Sequence, residues 1–183
     1  MQLRLYYDLA SAESYVAAER SHEVLGAVPE WVPVRFEPGP FRCAQEIASH
    51  QEDVERRAAR YGLQPLRWPP AFPSDSDFAM LAATHARELG RGVAFALAAF
   101  RQAFAAGRDL GDRDTVLIAG AACELHPAAL IKGAELRSTG ARLAAATARA
   151  RAAGVHDVPA LQVGERVFCG ERALEAARAA RVS

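Results

Sequence analysis

Ser11 and Ser14, in the stretch YYDLASAESYVAAER (residues 6–20), have the spacing of a C-x-x-C redox motif with oxygen in place of each sulfur. They fall where an apolar strand gives way to a helix. At a helix start the first backbone N–H groups lack intrahelical partners, and the helix dipole adds partial positive charge. A thiolate placed there is stabilised, which is how redox cysteines become reactive. A serine hydroxyl in the same place is a poor nucleophile without a nearby base, and no histidine lies in a recognisable triad pattern. Two uses stay open on the local sequence: Ser11 caps the helix, or it donates a hydrogen bond to a sulfur that arrives with a ligand. Disulfide exchange is disfavoured, because neither position has a sulfur to exchange.

Other residue types bear on the same chemistry. Glu13, in the first helical turn, complements the dipole when it points outward and opposes a thiolate when it points inward; the outward placement is expected. Val158-Pro159, after Gly-Val-His-Asp, opens a strand. Sequence alone favours a trans bond there, whereas a cis bond frees the Val158 N–H and C=O to pair with an extended, peptide-like ligand. His156 is an acid–base candidate or a solvent-facing loop residue, and the second is expected. Trp68, set among prolines, either walls a pocket or packs in the core. Arg35 is a candidate for a substrate carboxylate, and Tyr15 for a further substrate contact. Cys43, Cys123 and Cys169 are odd in number and far apart, which argues against a disulfide framework or a zinc knuckle. No metal site is expected, and the cysteines read as small apolar fillers, with Cys169 nearest the turn.

The elements that position these residues follow from periodicity. LRLYYDL (3–9) has the bulk and length of a buried strand. Residues 11–25 are helical, with Tyr15, Ala18, His22 and Leu25 near one face, and Gly26 ends the helix. Trp31–Phe36 supplies a second strand between prolines. Helical periodicity then recurs over 43–61, 77–89, 92–106, 113–123 and 127–150, broken by proline-, glycine- and aspartate-rich runs. Pro159–Val163 and Arg166–Cys169 form a hairpin turning at Gly164-Glu165, and 171–181 closes the chain as an amphipathic helix. The order β-α-β, helical insertion, β-β-α is that of an α/β thioredoxin-like fold. Residues 1–41 and 153–183 make the thioredoxin-like domain, and 42–152 the large all-helical insertion domain.

Charge and hydropathy exclude several partners. Basic and acidic residues balance at 22 each, so nothing points to nucleic acid. No uninterrupted apolar run approaches the ~18 residues of a membrane span, and no secretory signal is visible; a cytoplasmic protein is expected. Lys132 is the only lysine. That arginine bias fits either a GC-rich coding bias, which is expected, or guanidinium recognition of carboxylates.

Three segments together resemble the 2-hydroxychromene-2-carboxylate isomerases and kappa-class glutathione transferases. YYDLASAESYVAAER is similar to their opening, aromatic-Asp-x-x-Ser-Pro-x-Ser-aromatic-x-Ala. RYGLQPLRWPPAFPSDSDFAML (60–81) resembles their central Trp-Pro segment, and GVHDVPALQVGERVFCGERAL (154–174) their C-terminal block around Val-Pro. The three blocks keep their order over nearly the whole chain. The resemblance implies a DsbA-like thioredoxin fold and glutathione as cofactor, with Ser11 activating its thiol. Val158 and Pro159 would form the backbone clamp, and Trp68 and Asp75 would line the channel. It also implies catalysis by addition of the thiolate to a conjugated double bond, rotation and elimination, on a small aromatic or conjugated substrate, in a possible homodimer. A kappa-type transferase would use the same site for net conjugation, and a degenerate thioredoxin-fold protein would bind a thiol or peptide without turnover. Here Ala12 replaces the family's proline, and Asp75 lies where many relatives carry asparagine. In Gly170-Glu171-Arg172-Ala173, Arg172 takes the acidic position that would contact the γ-glutamyl end. Glu171 supplies that acceptor only if the turn is one residue shorter.

Overall fold

In a computed structural model that describes residues 2–36 and 41–182, four strands form one sheet in the order β2-β1-β3-β4. β1 (Leu3–Tyr7) runs parallel to β2 (Glu30–Pro33) and antiparallel to β3 (Ala160–Val163), which pairs antiparallel with β4 (Arg166–Cys169). The parallel β1–β2 pair requires a crossover, supplied by α1 (Ala12–Leu25). β2 is an edge strand, so Pro33 sits in it without breaking a second ladder. The β3–β4 turn is tight because Gly164 takes a positive φ of 61°.

Between β2 and β3 lie α2 (Ala44–Arg60), α3 (Asp77–Glu88), α4 (Gly92–Phe100), α5 (Arg113–Ala121), α6 (Pro127–Ala134) and α7 (Arg137–Ala152), and α8 (Ala173–Val182) follows β4. Alternating strand side chains divide the sheet into two buried faces. Leu5, Tyr7, Trp31 and Leu161 pack with α1, α8 and the helices α3–α5 in one cluster. Tyr6, Val32, Val34 and Ala160 pack against Ala146 and Ala150 of α7 in another. Tyr6 and Tyr7 are buried, as the bulk of the 3–9 strand predicts, and Phe168 is half-buried against the first cluster.

Two helices differ from their periodicity. The single helix expected over 127–150 is two, because Leu136 is extended (ψ 131°) and Thr139 Oγ1 donates to the Gly133 carbonyl at 2.7 Å, satisfying a terminal acceptor of α6. The break lets α6 and α7 approach α3 separately. At Gly133 the approach is close enough that a Cβ would lie 2.1 Å from His85 Nε2. The helix expected over 92–106 ends as a π-helical turn, Arg101–Ala105. Strand boundaries also contract, with β2 closing at Pro33 rather than Phe36.

Candidate active site

Asp8 builds the turn that presents Ser11. It is buried at the end of β1, and its carboxylate accepts from three segments. Ala10 N–H (3.0 Å) lies in the turn itself, Phe36 N–H (3.0 Å) follows β2, and Ser76 Oγ (3.2 Å) precedes α3. Burial pushes its carboxyl above the ordinary value, against the opposing pull of the Ala10 and Phe36 N–H groups, Arg35 and Ser76. With the turn held, Ser11 has extended backbone (φ −88°, ψ 116°), and its Oγ accepts from Ser14 N–H at 3.0 Å. This is the N-cap geometry expected of it. Ser11 is 4% exposed.

Ser11 borders a cavity of about 470 Å³ together with Glu13, His50, Arg57, Val158 and Glu171. Glu13 corrects the expectation that it points outward. Its Oε2 lies 3.4 Å from Ser11 Oγ, and its Oε1 lies 3.4 Å from His50 Nε2 and 3.5 Å from Arg57 Nη2. Two groups of α2 therefore turn the carboxylate over the helix start. His50 is held by aromatic contacts, stacked on Phe72 at 5.8 Å and edge-on to Phe41 at 5.1 Å. Sequence reasoning missed His50, Arg57, Phe41 and Phe72; their only signal was a histidine and an arginine seven residues, or about two turns, apart on one helix. A narrower crevice floored by Val16, Ala17, Val54 and Leu174 shares Glu13, Arg57 and Glu171 with the cavity.

The expected site residues separate into two groups. Val158 borders the cavity, Pro159 lines the adjoining crevice, and the bond between them is cis. The Val158 N–H is engaged by the Asp157 carboxylate at 2.8 Å. Glu171 borders the cavity, 3.5 Å from Arg57 Nη1, whereas Arg172 does not line it. His156 is an exposed rim residue.

Tyr15, expected to contact substrate, is instead buried with its ring stacked on Phe104 at 5.6 Å, and burial raises its phenol pKa. Arg35, expected to meet a substrate carboxylate, is already engaged. It donates to Ser76 Oγ (2.9 Å) and Asp77, in a separate cleft with Asp8 and Asp75. Asp75 there accepts from Asp77 N–H at 2.9 Å and so turns the chain into α3. Trp68 lies behind the cavity wall, its Nε1 donating to Glu55 at 2.6 Å and its ring edge-on to Phe72. Among the described residues no group of His, Cys, Asp and Glu is arranged to hold a metal ion, and no helix is long and apolar enough to cross a membrane.

Residues 2–180 match the family model of the DsbA-like thioredoxin domain. Among curated proteins none matches the sequence significantly. A 2-hydroxychromene-2-carboxylate isomerase structure superposes with a TM-score of 0.86 at 17% identity, covering 100% of this chain and 95% of that one. A probable DsbA oxidoreductase from Streptomyces coelicolor aligns at 0.78 with 21% identity, over 98% of this chain and 88% of its own. The cytosolic disulfide reductase DsbM from Pseudomonas aeruginosa aligns at 0.73 with 18% identity over the full length of both chains, and a further DsbM structure contains GSH.

Proposed function

This chain belongs to the DsbA-like thioredoxin domain family, and from that premise we propose that it is a glutathione-dependent cis–trans isomerase of the 2-hydroxychromene-2-carboxylate type. The observation that carries the reading is Ser11 at the start of α1, facing the same cavity as Val158, with no cysteine in either position of the motif. A fold of this family without a redox sulfur keeps the helix N-terminus, and so keeps its capacity to hold a ligand's thiolate.

The residues present fit such a ligand. Glu171 and Glu13 offer acceptors for an ammonium group, and Arg57 between them offers a guanidinium for a carboxylate. Glutathione, when bound, supplies the thiolate that adds reversibly to the conjugated double bond and leaves again after rotation. Ser11 has one hydroxyl proton to donate, and a ligand sulfur takes it in place of the distant Glu13 oxygen. Arg57 offsets the Glu13 charge that would otherwise oppose a thiolate, and His50 Nε2 stands 3.4 Å from the same carboxylate. The proposal places this reaction in the cytoplasm.

Calorimetry with glutathione tests the reading: saturable binding is expected, and Ser11→Ala should abolish turnover while the protein stays folded. Absence of binding at millimolar glutathione overturns the cofactor and leaves a non-catalytic thiol- or peptide-binding protein. Net consumption of glutathione would replace the isomerase by a kappa-type transferase.

A further inference from the structure

At the other end of β1, Arg4 stands opposite Glu30 in the sheet register. They line a cleft of about 140 Å³ between the sheet, α3 and the last turns of α7, which also contains Tyr6, Arg87, Arg149 and Gln162. Every side-chain acceptor in the cleft is already shared. Glu30 takes Arg4 Nε at 2.9 Å and Arg87 Nη2 at 2.5 Å. Gln162 Oε1 takes Tyr6 Oη at 2.6 Å and Arg4 Nη1 at 3.3 Å, and its amide nitrogen donates to the Gly164 carbonyl. Arg149 has no acceptor among the described residues. Three guanidiniums therefore face one cleft with one carboxylate, and the half-charge at the C-terminus of α7 does not close that gap. Val32 and Ala146 form a buried apolar wall on one side of the cleft, and the exposed Arg149 beside it stays open to a ligand.

We propose that this cleft is a binding site for a small oxyanion, a phosphate or carboxylate group, held by Arg149 together with the outward N–H groups of Arg4 and Arg87. The planar guanidinium fork matches both anions bidentately, and the site is remote from Ser11 and independent of the reaction there. The raised Arg4 and lowered Glu30 pKa values express the same tight pairing, which holds the first two guanidiniums in place for a ligand.

Calorimetric titration at low ionic strength, with inorganic phosphate, acetate and sodium chloride as separate arms, tests the site. Saturable one-site binding of phosphate or acetate is expected, and the tighter of the two identifies the source of the oxyanion. Arg149→Ala should weaken it about tenfold or more, Arg149→Lys less, and Arg151→Ala not at all. Arginine Nε–H resonances of Arg4 and Arg87 should shift on titration, a readout that a merely structural role would not move. Equal heats from sodium chloride, or binding unchanged in Arg149→Ala, mean an adventitious ion only and overturn the proposal.

Discussion

The two ends of β1 each depend on one carboxylate, and the two carboxylates are stabilised in opposite ways. Asp8 is buried and held mainly by neutral donors, two backbone N–H groups and a serine hydroxyl, with Arg35 at its edge. Its pKa rises because desolvation outweighs those bonds. Glu30 is half-exposed between two guanidiniums, and its pKa falls, chiefly through the hydrogen bond from Arg4. The buried acid organises backbone and so shapes a turn; the exposed one organises charge and so leaves guanidiniums aligned. One end therefore becomes a cavity with a carboxylate surplus beside Ser11, and the other a cleft with a guanidinium surplus.

The largest test of that contrast is Asp8→Ala, which strips three donors of their acceptor at once. A loss of about 2–4 kcal/mol is expected in urea denaturation, with loss of ligand binding at Ser11. Next is the pH dependence. A buried acid with a raised folded pKa binds more protons when folded. Its contribution therefore falls as pH rises from the ordinary value of 3.8 through its folded value. Glu30 has the opposite sign: its contribution is present above its ordinary 4.5 and lost as pH falls through its lowered folded value. Asp8→Asn should remove the first slope and Glu30→Gln the second, each leaving the other. If both variants flatten the same limb, the two ends are not distinct. Smaller again is Ser11→Ala, which loses about 1 kcal/mol of helix capping, whereas Ser11→Gly loses only a few tenths. Both should abolish turnover equally, separating the cap from the chemistry. Arg149→Ala should be smallest, within about 0.5 kcal/mol in stability, because the side chain holds nothing in the free protein.

Much of the local architecture was legible in the residues themselves. Ser11 caps α1 through a bond to an N–H three residues on, and Gly26 closes the helix with φ 60°. Both are local events that residue type decides. The element order, read from periods of two and 3.6, was enough for a thioredoxin-like fold with helices between its strand pairs, and the family match over residues 2–180 bears that fold out. Tyr15 lies on the apolar face of α1, so its burial is legible there, against the substrate contact expected of it.

What tertiary structure alone decided is where the long side chains end. Glu13 points inward because His50 and Arg57, 37 and 44 residues away, reach it from α2. Arg35 is taken by Ser76 and Asp77 across 41 and 42 residues. Arg4, Arg87 and Arg149 meet only because sheet register and the packing of α3 and α7 bring them to one cleft. A cap is set by backbone within one helical turn. The direction of a charged side chain is set by whichever opposite charge the fold brings near, and no local pattern encodes that distance.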